Sequence, residues 1–71
     1  MTDNLEQPSA VCANCFNEQQ RFSFPFVVYC PHRRQLALVH SRHEFATFEC
    51  APNQLRRIVD RLKDNYPSLN R

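Results

Sequence analysis

Two short segments that contain potential metal ligands constrain this chain more than any other feature. Cys12 and Cys15 are separated by two residues, and Cys30 is followed by Pro31 and His32. A Cys-x-x-Cys turn supplies two zinc ligands from one tight backbone curve, and the second segment can complete a tetrahedral set. The chain has only 71 residues, a size at which a disulfide, a metal or a partner subunit usually supplements the hydrophobic core. The sequence therefore predicts one small domain held together by a zinc ion.

Alternating apolar residues predict three antiparallel strands, over residues 22–30, 35–40 and 43–50. Pro25 cannot donate a ladder hydrogen bond, so the first strand either begins there or lies at an edge of the sheet. The residues expected on one face of this strand are Phe22, Phe24, Phe26, Val28 and Cys30. Residues 16–21 are expected to form a short strand or a loop, and the three strands together form a meander.

A helix is predicted after the third strand. Apolar residues recur there at helical spacing, and these are Leu55, Ile58, Val59, Leu62 and Tyr66. Asn53 is the expected N-cap, and the helix should end before Pro67 because proline disfavours helical geometry in the residue that precedes it.

The predicted fold class is α+β. We expect a small antiparallel β-meander with a Cys-x-x-Cys zinc knuckle and one C-terminal amphipathic helix packed on the sheet. Residues 11–67 are predicted to form a single zinc-stabilised domain. A flexible acidic tail is expected at residues 1–10, and a short tail at residues 68–71.

The identity of the fourth ligand is open between two residues. Cys50 ends the third predicted strand, which should return to the same edge of the sheet as Cys30, and a nearby helix N-terminus would lower the pKa of its thiol. His32 lies in the turn after Cys30, where its imidazole can swing inward. We favour His32, so the predicted metal ligands are Cys12, Cys15, Cys30 and His32. Cys50 is then a small buried apolar residue.

The order of these features is similar to that of the zinc-ribbon class of small zinc-binding domains. A Cys-x-x-Cys knuckle, a hairpin and a second knuckle that opens with Cys30-Pro31 carry the resemblance, which covers about residues 12–40. It implies a zinc site at one end of a small sheet. Two features depart from the class: Arg33 stands where a second Cys-x-x-Cys would end, and the customary glycine after the second knuckle is missing.

The compartment predicted for this chain is the cytoplasm. The first twenty residues contain neither the basic start nor the apolar stretch of a secretory signal. In a reducing compartment, paired cysteines more often bind zinc than each other; in an exported protein, the four cysteines would allow three disulfide connectivities. No apolar run approaches the roughly 20 residues of a membrane span, so no membrane partner is expected.

Enzymatic activity is not expected. The chain contains no glycine, which excludes P-loops, dinucleotide-binding fingerprints and nucleophile elbows. A zinc ion with four protein ligands has no open position for a substrate. The segment that contains His40, Ser41, His43 and Glu44 is interpreted as a polar turn between strands.

Arginine-rich positions give the leading hypothesis for function. Residues 21–63 hold eight Lys and Arg residues against three acids, whereas residues 1–20 are acidic. The planar arginine fork suits phosphates and base edges. The candidate residues for binding nucleic acid or a partner are Arg33, Arg34, Arg42, Arg56, Arg57, Arg61 and Lys63. We therefore expect an accessory or regulatory factor that acts on nucleic acid or on nucleic-acid-handling machinery.

Two alternatives accompany this hypothesis. Asp60 and Asp64 could pair with the helical arginines and leave an ordinary solvated helix face. The protein could instead be a protein-binding inhibitor or adaptor that uses an aromatic and arginine surface. Val27 and Tyr29 give the first strand a second apolar face, which could contact a protein partner or a second copy in a homodimer.

Overall fold

The computed structural model describes residues 5–21 and 23–70, and these residues contain three strands and two α-helices. The strands form one antiparallel sheet in the order β1–β2–β3. The elements are α1 (Ala13–Gln19), β1 (Phe26–Cys30), β2 (Gln35–Val39), β3 (Phe45–Glu49) and α2 (Leu55–Asn65), with 3₁₀ turns at Pro52–Gln54 and Pro67–Asn70. The α+β prediction, a small meander with a C-terminal helix, is confirmed. The predicted strand position of Phe22 lies outside the described residues.

The turns between the strands keep the register regular. Cys30 of β1 faces Gln35 of β2, which in turn faces Glu49 of β3.

The turn between β1 and β2 ends at Arg34, whose φ of 54° lies in the left-handed region. Glycine would adopt this conformation without penalty; Arg34 adopts it at a local cost of about 1–2 kcal/mol.

Both faces of the sheet are covered, by different parts of the chain. We call the core on one face the metal-side core because it contains two of the predicted metal ligands, Cys15 and Cys30. It consists of Val11, Cys15, Phe16, Phe26, Val28, Cys30, Ala37 and Val39. The helix-side core consists of Leu36, Leu38, Cys50 and Leu62, with half-buried residues of α2 packed around them. Val27 and Tyr29 also pack into the helix-side core. The apolar residues on both faces of β1 are therefore used within the chain.

Helix α2 forms where the apolar spacing predicts it, but its start differs from the expectation. The five residues of its apolar stripe all lie in or against the helix-side core. Asn53 is not its N-cap, because Pro52–Gln54 form a 3₁₀ turn that leads into the helix. The Gln54 Oε1 accepts a hydrogen bond from the Ala51 N–H at 3.2 Å. A backbone turn and a glutamine therefore replace the expected asparagine cap.

Helix α1 corrects the expectation of a strand or loop at residues 16–21, and with it the expected hairpin between Cys15 and Cys30. The Phe16 N–H donates to the Cys12 carbonyl at 3.0 Å, and the Gln20 N–H donates to the Phe16 carbonyl at 2.9 Å. A helix of this length is marginal by itself. Burial of Cys15 and Phe16 against the sheet stabilises it.

The segment before α1 lies against the domain over its described part, residues 5–10, where a flexible tail was expected. Pro8 is among the fully buried side chains, and Leu5 packs on the metal-side core. The Glu6 N–H donates to the Arg42 carbonyl at 3.2 Å. Residues 1–4 of the expected tail lie outside the described residues. At the other end, Leu69 packs on the helix-side core, and residue 71 is not described.

No helix in the described part of the chain is both long enough and apolar enough to cross a bilayer.

Candidate metal centre

Three structural elements bring four potential metal ligands to one end of the sheet. Cys12 precedes the first residue of α1, and Cys15 lies in the first turn of that helix. Cys30 is the last residue of β1, and His32 lies in the turn that follows. Their ligand atoms all lie within 4.8 Å of one another. The predicted ligand residues are therefore together, and they could hold a metal ion.

Four of the six donor–donor distances within this cluster are close to those of a tetrahedral site. The His32 Nδ1 lies 3.7 Å from the Cys12 Sγ, 3.5 Å from the Cys15 Sγ and 4.0 Å from the Cys30 Sγ. The Cys30 and Cys12 sulfurs are 3.6 Å apart. With the usual Zn–S and Zn–N bond lengths, a tetrahedral site has S–S edges of about 3.8 Å and S–N edges of about 3.6 Å. The other two distances, from the Cys15 sulfur to the sulfurs of Cys12 and Cys30, are at most 4.8 Å, so accepting an ion requires these distances to change by about 1 Å or less.

The cluster is buried on its protein side and open on its solvent side. Cys15 and Cys30 are buried within the metal-side core, Cys12 is half-buried, and His32 is exposed. The core thus fixes the thiols, while the imidazole closes the site from outside.

The surroundings of the cluster shift the pKa values of Cys30 and Cys15 in opposite directions. Burial opposes ionisation of Cys30, but hydrogen bonds from the backbone N–H groups of Cys12 and Arg33 outweigh it and lower the pKa of Cys30 to about 6. Burial, followed by the neighbouring sulfurs, raises the pKa of Cys15 to about 12. Hydrogen bonding to Cys30 and then Cys12 raises the pKa of His32. A cation among the thiols would favour the thiolate form of each of them.

Cys50 is excluded from the cluster by the alternation of side chains along the strand. Glu49 shares a face with Cys30 through their common partner Gln35, so Cys50, the next residue, points to the opposite face. Its side chain lies in the helix-side core, and its Sγ donates to the Ala51 carbonyl at 3.5 Å. Burial raises the pKa of Cys50, contrary to the expected lowering by a helix terminus. The interpretation of Cys50 as a buried apolar residue is the one that fits.

The predicted basic residues are spread over several surfaces. Arg33 lies beside the cluster, and its Nη1 donates to the Ser9 carbonyl at 2.7 Å. Arg34 is exposed in the same turn, whereas Arg42 lies between β2 and β3. The remaining four are on α2: Arg56, Arg57 and Arg61, which are exposed, and Lys63, which is half-buried. These residues do not converge on one site.

The helical arginines do not form the ion pairs that Asp60 and Asp64 could offer them. Within the described residues, an ion pair links His43 and Glu6 instead, near the β2–β3 turn. Its Nδ1–Oε2 distance is 3.2 Å. Arg57 and Arg61 are therefore available to other anions.

Gln19 is a positioning residue that was not predicted from the sequence. Its Nε2 donates to the Tyr29 carbonyl at 2.9 Å, and its Oε1 accepts the Tyr29 N–H at 3.1 Å. These bonds attach the end of α1 to the strand that carries Cys30. The spacing of Cys12, Cys15, Phe16 and Gln19, which puts all four on one helical face, was the available signal.

No protein-family model, curated protein sequence or solved structure matched the chain in the comparisons.

Proposed function

We propose that the protein is a small zinc-binding module in which Cys12, Cys15, Cys30 and His32 hold a structural zinc ion. The observation that carries the proposal is the convergence of these four donors within 4.8 Å. Three sulfurs and one imidazole form a soft donor set that suits zinc, whereas calcium and magnesium take oxygen ligands. The zinc-ribbon resemblance points to the same chemistry.

A structural role fits this site better than a catalytic one. Four protein ligands complete the coordination of zinc, so no position is left for a water molecule or a substrate. The ion would join α1 to the end of β1 and to the turn after it. We therefore propose a binding module without enzymatic activity, which works in a reducing compartment such as the cytoplasm, where thiols remain available for metal.

Elemental analysis of the purified native protein tests the zinc site. We expect one zinc per chain, a large loss in Cys15→Ser and His32→Ala, and full retention in Cys50→Ala, because Cys50 lies in the other core. A zinc content near zero would refute the proposal, as would thiols found oxidised to one another by mass spectrometry.

For the binding activity, we propose an accessory or regulatory role on nucleic acid or on nucleic-acid-handling machinery. Support comes from the exposed arginines of α2, Arg56, Arg57 and Arg61, which are not in ion pairs within the described part of the chain. Arginine on an exposed helix suits phosphate contacts. Asp60 and Asp64 lie on the same helix face, so the field is moderate and few phosphates would be contacted.

Fluorescence anisotropy with labelled duplex and single-stranded oligonucleotides tests this role. Three phosphate contacts predict an affinity that falls about 40-fold on duplex between 50 and 200 mM salt. Arg57→Gln should reduce the salt slope by about one contact, whereas Arg21→Gln, in the loop before β1, should leave it unchanged. Absence of salt-sensitive binding would remove this role.

The second candidate is a protein-binding inhibitor or adaptor. One observation favours it: Phe48, on edge strand β3, is the large apolar side chain that stays exposed among the described residues, at 37%. Aromatic residues are enriched at protein interfaces. Concentration-dependent sedimentation of wild type and Phe48→Ser distinguishes a homodimer, which the substitution would weaken, from a monomer that binds other proteins.

A further inference from the structure

The sheet has two outer edges, along β1 and along β3, and part of the edge along β1 is already capped. In an edge strand, the backbone groups of alternate residues point toward the partner strand and away from it. The outward N–H and C=O of Tyr29 are both bonded to the Gln19 side chain. Val27 lies two residues earlier in the same regular strand, so its N–H and C=O also point outward.

The edge at Val27 has no such cap. Among the described residues, no backbone or side-chain group forms a hydrogen bond with the outward N–H or C=O of Val27. The strand begins at Phe26, directly after Pro25, which has no N–H to offer. The free edge is therefore short: it offers the N–H and C=O of Val27, with Pro25 before them and the Gln19 amide after them. Its length fits an added strand of about three residues.

A groove of about 660 Å³ lies along this free edge. Its apolar walls come from the loop before β1, from α2 and from the 3₁₀ turn after α2, with Phe24, Pro25, Val59 and Leu69 among the residues that line it. Phe24 stacks on Phe26 with ring centroids 5.8 Å apart. The groove therefore offers apolar surface for side chains next to backbone groups for a main chain.

The charge of the groove has one sign. Among the described residues that line it, the charged ones are Arg21 and Lys63, and none is acidic. Neither cation is in an ion pair within the described residues. A ligand that fills the groove would place its negative groups between these two side chains.

We infer that this groove docks an extended acidic segment of a partner protein, which pairs with Val27 as a short added strand. The segment would exchange one N–H and one C=O with Val27, place an apolar side chain against Phe24 and Leu69, and direct carboxylates toward Arg21 and Lys63. Strand addition of this kind takes affinity from main-chain hydrogen bonds and specificity from the side-chain pockets.

Two other occupants fit the groove less well. A nucleic acid strand could stack on Phe24 and approach Lys63, but it has no main chain to satisfy the paired N–H and C=O of Val27. A second copy docked through the same edge would place its own Arg21 and Lys63 against those of the first, and like charges repel. The peptide satisfies both the backbone groups and the charge.

The test uses the zinc-loaded full chain and a defined probe, the peptide acetyl-EVEVEVE-amide, with acetyl-KVKVKVK-amide as its charge-reversed control. Chemical-shift titration and amide hydrogen exchange are followed by NMR. In the free protein we expect fast exchange at Val27 and slow exchange at Val28, which is bonded to β2. The acidic peptide should slow the Val27 amide at least tenfold, and the basic peptide should leave it unchanged.

Variants separate this site from the arginine surface of α2. Lys63→Glu should weaken binding of the acidic peptide about three- to tenfold, whereas Arg57→Glu should leave it within twofold. A peptide N-methylated on every valine, which removes backbone donors but keeps the charge, should also bind at least threefold more weakly.

Four results would overturn the inference. They are no protection of Val27 by the acidic peptide at millimolar concentration, equal binding of the N-methylated peptide, larger groove shifts with oligothymidylate than with the peptide, and concentration-dependent protection of Val27 without any peptide. The third result would assign the groove to nucleic acid, and the fourth to a second copy of the chain.

Discussion

Thermal stability should depend on the logarithm of the free zinc concentration. A domain below about 70–80 residues rarely gains more than about 3–5 kcal/mol from its core, whereas structural zinc contributes about 10–16 kcal/mol in zinc-finger peptides. Only the folded chain brings the four donors within 4.8 Å, so zinc binds the native state in preference. Each tenfold rise in free zinc should then add about 1.4 kcal/mol to the free energy of unfolding. In a domain of this size, that raises the Tm by about 6–11 °C.

Circular dichroism melts in zinc buffers, with a phosphine reductant present, measure this slope. Wild type and Cys50→Ala should show the same dependence on free zinc, although Cys50→Ala melts lower throughout because it leaves a small cavity. Cys15→Ser should lose most of the dependence. Either a Tm that does not change over three decades of free zinc, or a cooperative melt after exhaustive chelation, would show that the ion is not what stabilises the fold.

Three further predictions concern the cores and the strand edge. Leu62→Ala should lower the free energy of unfolding of the zinc-loaded protein by about 2–5 kcal/mol in urea titrations, whereas Asp64→Ala should change it by less than about 0.5 kcal/mol. Gln19→Ala should cost about 1–3 kcal/mol, because it leaves the backbone of Tyr29 unpaired, and exchange of the Tyr29 amide should accelerate. Burial raises the pKa of the Cys50 thiol in the folded state, so this thiol loses its proton at a lower pH in the unfolded chain than in the folded one. The free energy of unfolding from the same urea titrations should therefore fall as the pH rises above the ordinary value of 9.0. It should fall less steeply in Cys50→Ala.

The sequence was sufficient for the elements whose periodicity is long or regular. The apolar stripe of α2 extends over three turns, and its residues pack where the spacing places them. Residues 35–39 place apolar side chains on both faces of the predicted strand, and β2 is buried on both faces. The cluster was predictable because Cys12, Cys15 and Cys30 occur in two short segments that a small sheet must bring close. The choice of His32 over Cys50 could have been made from strand parity, once Gln35 was placed opposite both Cys30 and Glu49.

Tertiary contacts decide the parts that the sequence did not reveal. Helix α1 has one visible turn of apolar spacing, and the burial of Phe16 against the sheet selects helix over strand. Pro8 has no periodic neighbours, so its burial depends on the shape of the surface it meets. Arg34 adopts a left-handed conformation because the turn after Cys30 requires it, in a chain without glycine. None of these outcomes follows from local propensity.

The order of the ligands along the chain has a consequence for biosynthesis. All four donors lie between positions 12 and 32, ahead of β2, β3 and α2. At translation rates of about 5–20 residues per second, seconds pass between the synthesis of His32 and that of the last turn of α2. During those seconds the exit tunnel of the ribosome still covers much of so short a chain, and the four donors converge only when the sheet has formed. The ion is therefore bound after synthesis, and metal availability after release, rather than during translation, would control the yield of folded protein.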